Sequence, residues 1–274
     1  MKKSQPSHEI IKNSLIWFVL LFAFFPLYVM FAISFKTNTQ FLHNPFGITF
    51  PFDWQNWVHG WYAIKGYIAN SIFTSTISVF ATLITALMSA YVFARYSFPG
   101  KTILWYLLLG LLFMPAIMNL VPLFVLMKNL SLLNSLMGLS VLYTVGGQVF
   151  CIFVLRNFIE EIPQDLFEAA QVDGAGPFKQ IFNIVIPMSG SILATLAILR
   201  FLGCWNDFIT PLVFISDEYK QLIPVGLMRL DGEYIKLWGQ MMAGFSIAAI
   251  PLVLIFLFTM RLFVKGLSAG AVKG

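Results

Sequence analysis

Arg200 and Asp207 are the only charged residues deep inside an apolar run of this chain. Arginine near the centre of a membrane-spanning helix costs roughly 2.5–3.5 kcal/mol on insertion scales, so it should face protein or water rather than lipid. Seven residues are nearly two helical turns, which would set the pair on one face about 10 Å apart along the axis. That spacing allows an ion pair, direct or through water, or a wet wall for a polar solute. The other reactive residue types lead to exclusions. Gly100-Lys101-Thr102 has the ending of a phosphate-binding loop, but that loop needs a glycine where Arg95 stands. No ATP site is encoded, and the chain is not expected to be an enzyme. His8, His43 and His59 lie outside the apolar runs, so histidine cannot assemble a metal cluster within them. Cys151 and Cys204 sit inside such runs and are expected to pack as small buried hydrophobes rather than as a disulfide.

A second kind of chemistry, docking, is written in Glu168-Ala169-Ala170-Gln171-Val172-Asp173-Gly174-Ala175, running on to Ile184-Val185-Ile186-Pro187. Pro163 can open a helix as its first residue, where its missing N–H costs nothing. Gly174 can close that helix in the left-handed conformation. Pro177 sits where a second helix would begin, and Pro187 should stop it. The segment therefore reads as two short helices joined by a Gly-Ala-Gly elbow. Leu166, Phe167, Ala169, Ala170 and Val172, then Phe178, Ile181, Phe182 and Val185, give each helix an apolar stripe. The paired alanines leave room for close approach by a partner.

These segments must be held by membrane helices. Of 274 residues, 59% are hydrophobic and only 11% charged, with a mean hydropathy of +0.82. Soluble domains carry about 25% charge. The net charge of +5 is scattered at the ends of apolar runs, so it does not signal nucleic acid; lipid is the expected surroundings. The first run, 15–35, is too long for a cleavable signal and reads as a retained helix. Further spans are expected at about 67–94, 103–127, 137–155, 189–214 and 240–263, giving six, with a cytoplasmic N-terminus at 1–14, a loop at 156–187 and a tail at 264–274. With the N-terminus inside, ten lysines and arginines fall on the cytoplasmic side and six outside, which supports an N-in, C-in chain.

Three further features bear on the path. Pro115 and Pro122 should kink the third span. The second span is rich in small polar residues, from Asn70, Ser71 and Thr74 to Thr82 and Thr85; these either knit helices together or line a path. Trp54, Trp57 and Trp61 suit an interfacial aromatic belt.

Glu168-Ala169-Ala170, Asp173-Gly174-Ala175 and Ile184-x-Ile186-Pro187 resemble the EAA loop of permease subunits in binding-protein-dependent ABC importers. Ile186 stands where that family usually has leucine, and Gly176 where it often has serine or threonine. Trp205-Asn206-Asp207 followed by Pro211-Leu212 is similar to the family's fifth-helix pattern. The tail 263–274, with Lys265, Gly266, Ala269, Gly270 and Lys273, resembles the C-terminus of maltose-type permeases, where it reaches the ATPase interface. The resemblance implies an all-α type I importer permease of six spans in the bacterial inner membrane. It implies an ATPase dimer carrying ATP and magnesium, a second homologous permease and an extracytoplasmic sugar-binding protein, with no cofactor in this chain. Glu168, Ala169, Ala170, Asp173, Gly174, Ala175 and Pro187 would couple to the ATPase. Asn70, Arg200, Asn206 and Asp207 would be candidates to line the path. The alternative is a secondary carrier or another polytopic membrane protein using Arg200 and Asp207; a carrier should show inverted repeats and intramembrane titratable groups beyond that pair, and neither is visible in the sequence.

Overall fold

In the computed structural model the described residues are 6–230 and 237–271, with side chains described for Glu9, 12–115, 117–230 and 237–257. Among them every regular element is a helix. In order these are α1 (Pro6–Ile33), α2 (Asn38–His43), α3 (Gln55–Arg95), α4 (Lys101–Gly110), α5 (Leu120–Asn129), α6 (Leu136–Glu160), α7 (Gln164–Val172), α8 (Pro177–Gln180), α9 (Ile186–Met188), α10 (Gly190–Trp205), α11 (Ile209–Phe214), α12 (Ile223–Arg229) and α13 (Trp238–Ala271). Four stretches are long and apolar enough to cross a membrane: Lys12–Ile33, α3, α6 and Trp238–Leu257. Two bent pairs raise the count to six if each makes one span: Lys101–Phe113 with Ile117–Asn129, bent by 94°, and Pro177–Met188 with Gly190–Trp205, bent by 81°.

Prolines explain the departures from six straight spans. A proline ring collides with the carbonyl four residues earlier and offers no N–H to it. Pro115 therefore interrupts the third span between α4 and α5, whereas Pro122 sits in the first turn of α5 and does not break it. The expected fifth span, 189–214, is corrected by Pro211: a helix running through 207–211 is blocked, so α10 stops at Trp205 and α11 restarts at Ile209. The sixteen residues of α10 reach about 24 Å, short of the roughly 30 Å bilayer core.

The chain divides into two units, Met1–Gly66 with Gly226–Val253, and Tyr67–Val225 with Leu254–Gly274. In the first, Phe35 is ringed by Phe31, Phe52, Trp54 and Trp57. Lys36 is 1% exposed and its Nζ donates to the carbonyls of Asn44 and Pro45 at 2.6 and 3.1 Å. Desolvation pushes its pKa below the ordinary lysine value. Apart from its C-terminal end, α1 presents its apolar side chains outward, so lipid or another protein must cover it.

In the second unit the core joins Ala86, Leu87, Ala90 and Tyr91 of α3 to Cys151, Ile152, Leu155 and Ile159 of α6, and to Phe167, Ile181, Val185 and Leu196. The hydroxyl-rich face of α3 is a packing seam. Ser71, Thr74, Ser75, Ser78 and Thr82 are buried, Ser78 donates to the Ser140 carbonyl at 3.3 Å, and Gln148 donates to Thr85 at 2.6 Å. Ser78, Thr82 and Thr85 knit α3 to α6 here. Cys151 and Cys204 are buried free thiols.

Gly138, in the first turn of α6, packs so closely on the Leu132 carbonyl oxygen that a β-carbon would run into it. Gly138→Ala is expected to lower stability by about 1–3 kcal/mol as an overpacking change. Thermal unfolding in detergent, read against wild type, checks this.

The helix of the tail continues unbroken to Ala271. Lys265, Gly266, Ala269 and Gly270 fall in that helical backbone with side chains outside the described residues, and Lys273 lies outside them altogether. Gly266-x-Ser268-x-Gly270 has the order of a serine nucleophile elbow, but that elbow needs a strand-to-helix turn, and this stretch lies in the last turns of a helix.

Candidate functional site

The elbow is built as its residue types dictate. α7 ends at Val172, and Gly174 takes φ +74°, the left-handed conformation. The Gly174 amide donates to the Gln171 carbonyl at 3.0 Å and that of Ala175 to Ala170 at 2.8 Å. Together these close the helix in a Schellman motif. Pro163 stands just outside α7, at its N-cap position, rather than opening it from within. Gly176 is the N-cap of α8 and Pro177 its first residue.

Pro187 does not stop the second helix, contrary to its expected role. The chain widens into a π turn at Ile181–Val185, where the Ile186 amide reaches back to the Ile181 carbonyl, and helix continues through Ile186–Met188. A π turn just before a proline accommodates the ring that an α-helix would exclude. The sharp bend comes after it, at Ser189.

The expected apolar stripes divide into two sets. Phe167, Ile181 and Val185 point inward and are buried, whereas Leu166, Phe178 and Phe182 are exposed and Val172 is 88% exposed. Glu168, Ala169, Asp173, Gly174 and Pro187 are exposed, and Ala170 and Ala175 partly so. Exposed apolar side chains beside exposed carboxylates make a surface suited to a protein partner.

Three residues not expected from the sequence to take part in the elbow hold this surface. Arg95, ending α3, donates through Nη2 to the carbonyls of Ile159 and Ile162 at 2.5 and 2.6 Å, and through Nη1 to Gln164 Oε1 at 2.9 Å. Its guanidinium also stacks 3.9 Å from the Phe167 ring centroid. The Tyr91 hydroxyl bonds Gln180 Oε1 at 2.6 Å, and Gln180 Nε2 donates to the Ala175 carbonyl at 3.0 Å. One signal was available in the sequence: Gln180 is a polar residue directly before the apolar Ile181.

A second place, elsewhere in the same unit, collects polar groups in an apolar setting. A cavity of about 420 Å³ is lined by Tyr143, Arg200, Asp207 and Thr210 among Ile117, Leu120, Leu142 and Phe214. Arg200 and Asp207 make no direct ion pair, because the helix ends between them. Arg200 Nη2 instead donates to the Tyr143 carbonyl at 2.8 Å, while its Nε is buried without a partner. Asp207 Oδ1 accepts from the amides of Ile209 and Thr210 at 3.1 and 3.4 Å, which caps α11. Asn206 is exposed and ends α10. Asn70 lies away from this cavity, donating to the carbonyls of Tyr219 and Gln221 at 2.8 and 3.0 Å. Among the described residues no group of His, Cys, Asp and Glu could hold a metal ion.

Comparison with known proteins adds an independent line. The family model described as "Binding-protein-dependent transport system inner membrane component" matches residues 7–269. The arabinooligosaccharides transport system permease protein AraQ of Halalkalibacterium halodurans is 31% identical, covering 94% of each chain. The trehalose/maltose transport system permease protein MalG of Thermococcus litoralis is 30% identical, covering 91% of each. A chain from the crystal structure of a bacterial ABC transporter that imports the acidic polysaccharide alginate superposes with a TM-score of 0.86 at 20% identity. It covers 95% of this chain and 99% of that one, a likeness of fold.

Proposed function

The chain belongs to the family of inner membrane components of binding-protein-dependent transport systems, and on that premise we propose that it couples to its ATPase through the elbow at 163–188. It is a permease subunit of an ABC importer, multi-pass in the inner membrane, and ATP hydrolysis lies in separate subunits. Such a subunit works with an ATPase and a substrate-binding protein. The family sets aside the secondary-carrier alternative.

The finer reading is an importer of carbohydrate, in which this chain and a second, homologous permease each form half of the path. A dimeric ATPase with ATP and magnesium sits on the cytoplasmic side, and an extracytoplasmic sugar-binding protein delivers the solute. Relatives named for oligosaccharides support the substrate class. The observation that carries the coupling role is the exposed surface of Glu168, Val172, Phe178 and Phe182 around a rigid left-handed glycine. The tail residues Lys265, Gly266, Ala269, Gly270 and Lys273 are a second ATPase contact in this reading. The cavity at Tyr143, Arg200 and Asp207 is its candidate segment of the path.

Purified alone into lipid vesicles, the chain is expected to hydrolyse no ATP and take up no sugar; adding the second permease and the ATPase should produce hydrolysis. Robust hydrolysis or uptake by the isolated chain would overturn the assignment.

A further inference from the structure

α7 and α8 are joined by the chain itself to α6 on one side and α10 on the other, and any displacement of the elbow must reach those two helices. α3 has no such covalent link, yet its last turns reach both halves of the elbow through Arg95 and Tyr91. We infer that Arg95 and Tyr91 form the joint through which movement of the coupling surface is passed to α3, so that α3 and α6 move as one body. This rests on the coupling reading above.

Arg95 grips three things at once: the C-terminal carbonyls of α6 at Ile159 and Ile162, the Gln164 side chain at the start of α7, and the face of Phe167 in its middle. A planar guanidinium serves all of these together; an ammonium on a flexible stem cannot. Tyr91, one turn earlier on α3, reaches α8 through Gln180, which in turn holds the elbow carbonyl of Ala175. The two residues therefore fix α3 to both halves of the elbow. Above the joint, Ser78, Thr82 and Thr85 tie α3 to α6 through Ser140, Thr144 and Gln148. No comparable hydrogen bonds join α10 to the elbow among the described residues, and the chain turns by 81° before α10 begins. Packed elements with several directional bonds between them move as rigid bodies.

The test uses the whole complex of this chain, the second permease and the ATPase in lipid. Ile84, exposed on α3, and Lys179, exposed on α8, are replaced by cysteine and spin-labelled; the native cysteines are buried and stay. The interspin distance is measured at rest and with ATP plus vanadate. In the otherwise wild-type chain it should stay the same and narrow in both states. In Arg95→Gln, and in Tyr91→Phe, it should broaden and shift when the ATPase closes. Stimulation of hydrolysis by the cognate binding protein should fall about tenfold, within the usual range of coupling energies. Arg95→Lys should recover it only in part. A residue that merely props the fold would not make the distance depend on the nucleotide state. A wild-type distance that changes on closure overturns the joint, and so do variants as narrow as wild type in both states. Should Arg95→Gln fail to assemble, Tyr91→Phe, which keeps the ring, decides by the same two outcomes. Gly174→Val is run alongside. If it releases the ATPase while the joint variants behave as wild type, the joint alone is wrong; if it leaves the ATPase bound and active, the coupling reading itself fails.

Discussion

Gly174→Val is expected to loosen the ATPase from the membrane complex and to lower uptake about tenfold or more. The reason is conformational and not steric. The elbow holds Gly174 at φ +74°, and the space around it is open, with nothing within 4 Å of where a β-carbon would sit. An L-residue in the left-handed conformation costs roughly 1–2 kcal/mol, and a β-branched one is an outlier there. The chain would relieve that cost by giving up the two capping bonds from Gly174 and Ala175, which releases α8 from its angle to α7. About 1.4 kcal/mol is tenfold in a binding equilibrium, which sets the expected size. Asparagine tolerates this backbone, so Gly174→Asn should remain close to wild type. Glu168→Ala should act more mildly than the valine, since one exposed ion pair contributes about 1 kcal/mol or less. Co-purification of the ATPase with each variant, and uptake in the same cells, measures all three. Wild-type values for both quantities in the valine variant would remove the elbow from the mechanism.

Arg200→Leu is expected to leave the complex assembled while uptake falls about tenfold. The structure changes what this substitution tests. Because Arg200 makes no ion pair with Asp207, its removal strands no buried carboxylate; Asp207 keeps its two bonds to the start of α11. Replacing a charge at mid-span by leucine should favour insertion, by roughly 3 kcal/mol on insertion scales. What is lost is a cation in the wall of the cavity. Gly147 supplies a control that leaves the charge in place. A β-carbon there would lie 2.5–2.8 Å from three atoms of the Arg200 guanidinium and displace it. Gly147→Ala should therefore reproduce the transport defect without removing the arginine. Complex yield and uptake are read from one preparation. Normal uptake by the leucine variant would eliminate a pathway role, and loss of assembly would make Arg200 a packing residue.

Much of the elbow was legible because its signals are local. A glycine where a helix must end, a proline where one must begin and apolar residues at helical spacing act over four or five positions. The same local logic misplaced Pro187, because a π turn lets a helix pass a proline that an α-helix would reject. It also joined Arg200 to Asp207 across a helix that Pro211 interrupts, although that proline stands in plain view four residues after Asp207. The rule that a proline ring strikes the carbonyl four positions back was sufficient to find the break.

Hydropathy and the sparseness of charge decided, from sequence alone, that the chain lives in a membrane. Backbone preference decided that 163–188 forms an elbow about a left-handed glycine. Tertiary structure alone decided what touches what. Tyr91 and Gln180 are 89 residues apart, Arg95 and Ile159 are 64, and Arg200 and Tyr143 are 57. It also turned the hydroxyls of α3 into the α6 seam and directed Leu166, Val172, Phe178 and Phe182 outward while Phe167 and Ile181 turned in. Local chain conformation follows from each residue's near neighbours in sequence. Contact between helices depends on the rotation and depth of each one, and those are set by the packing of all the others at once.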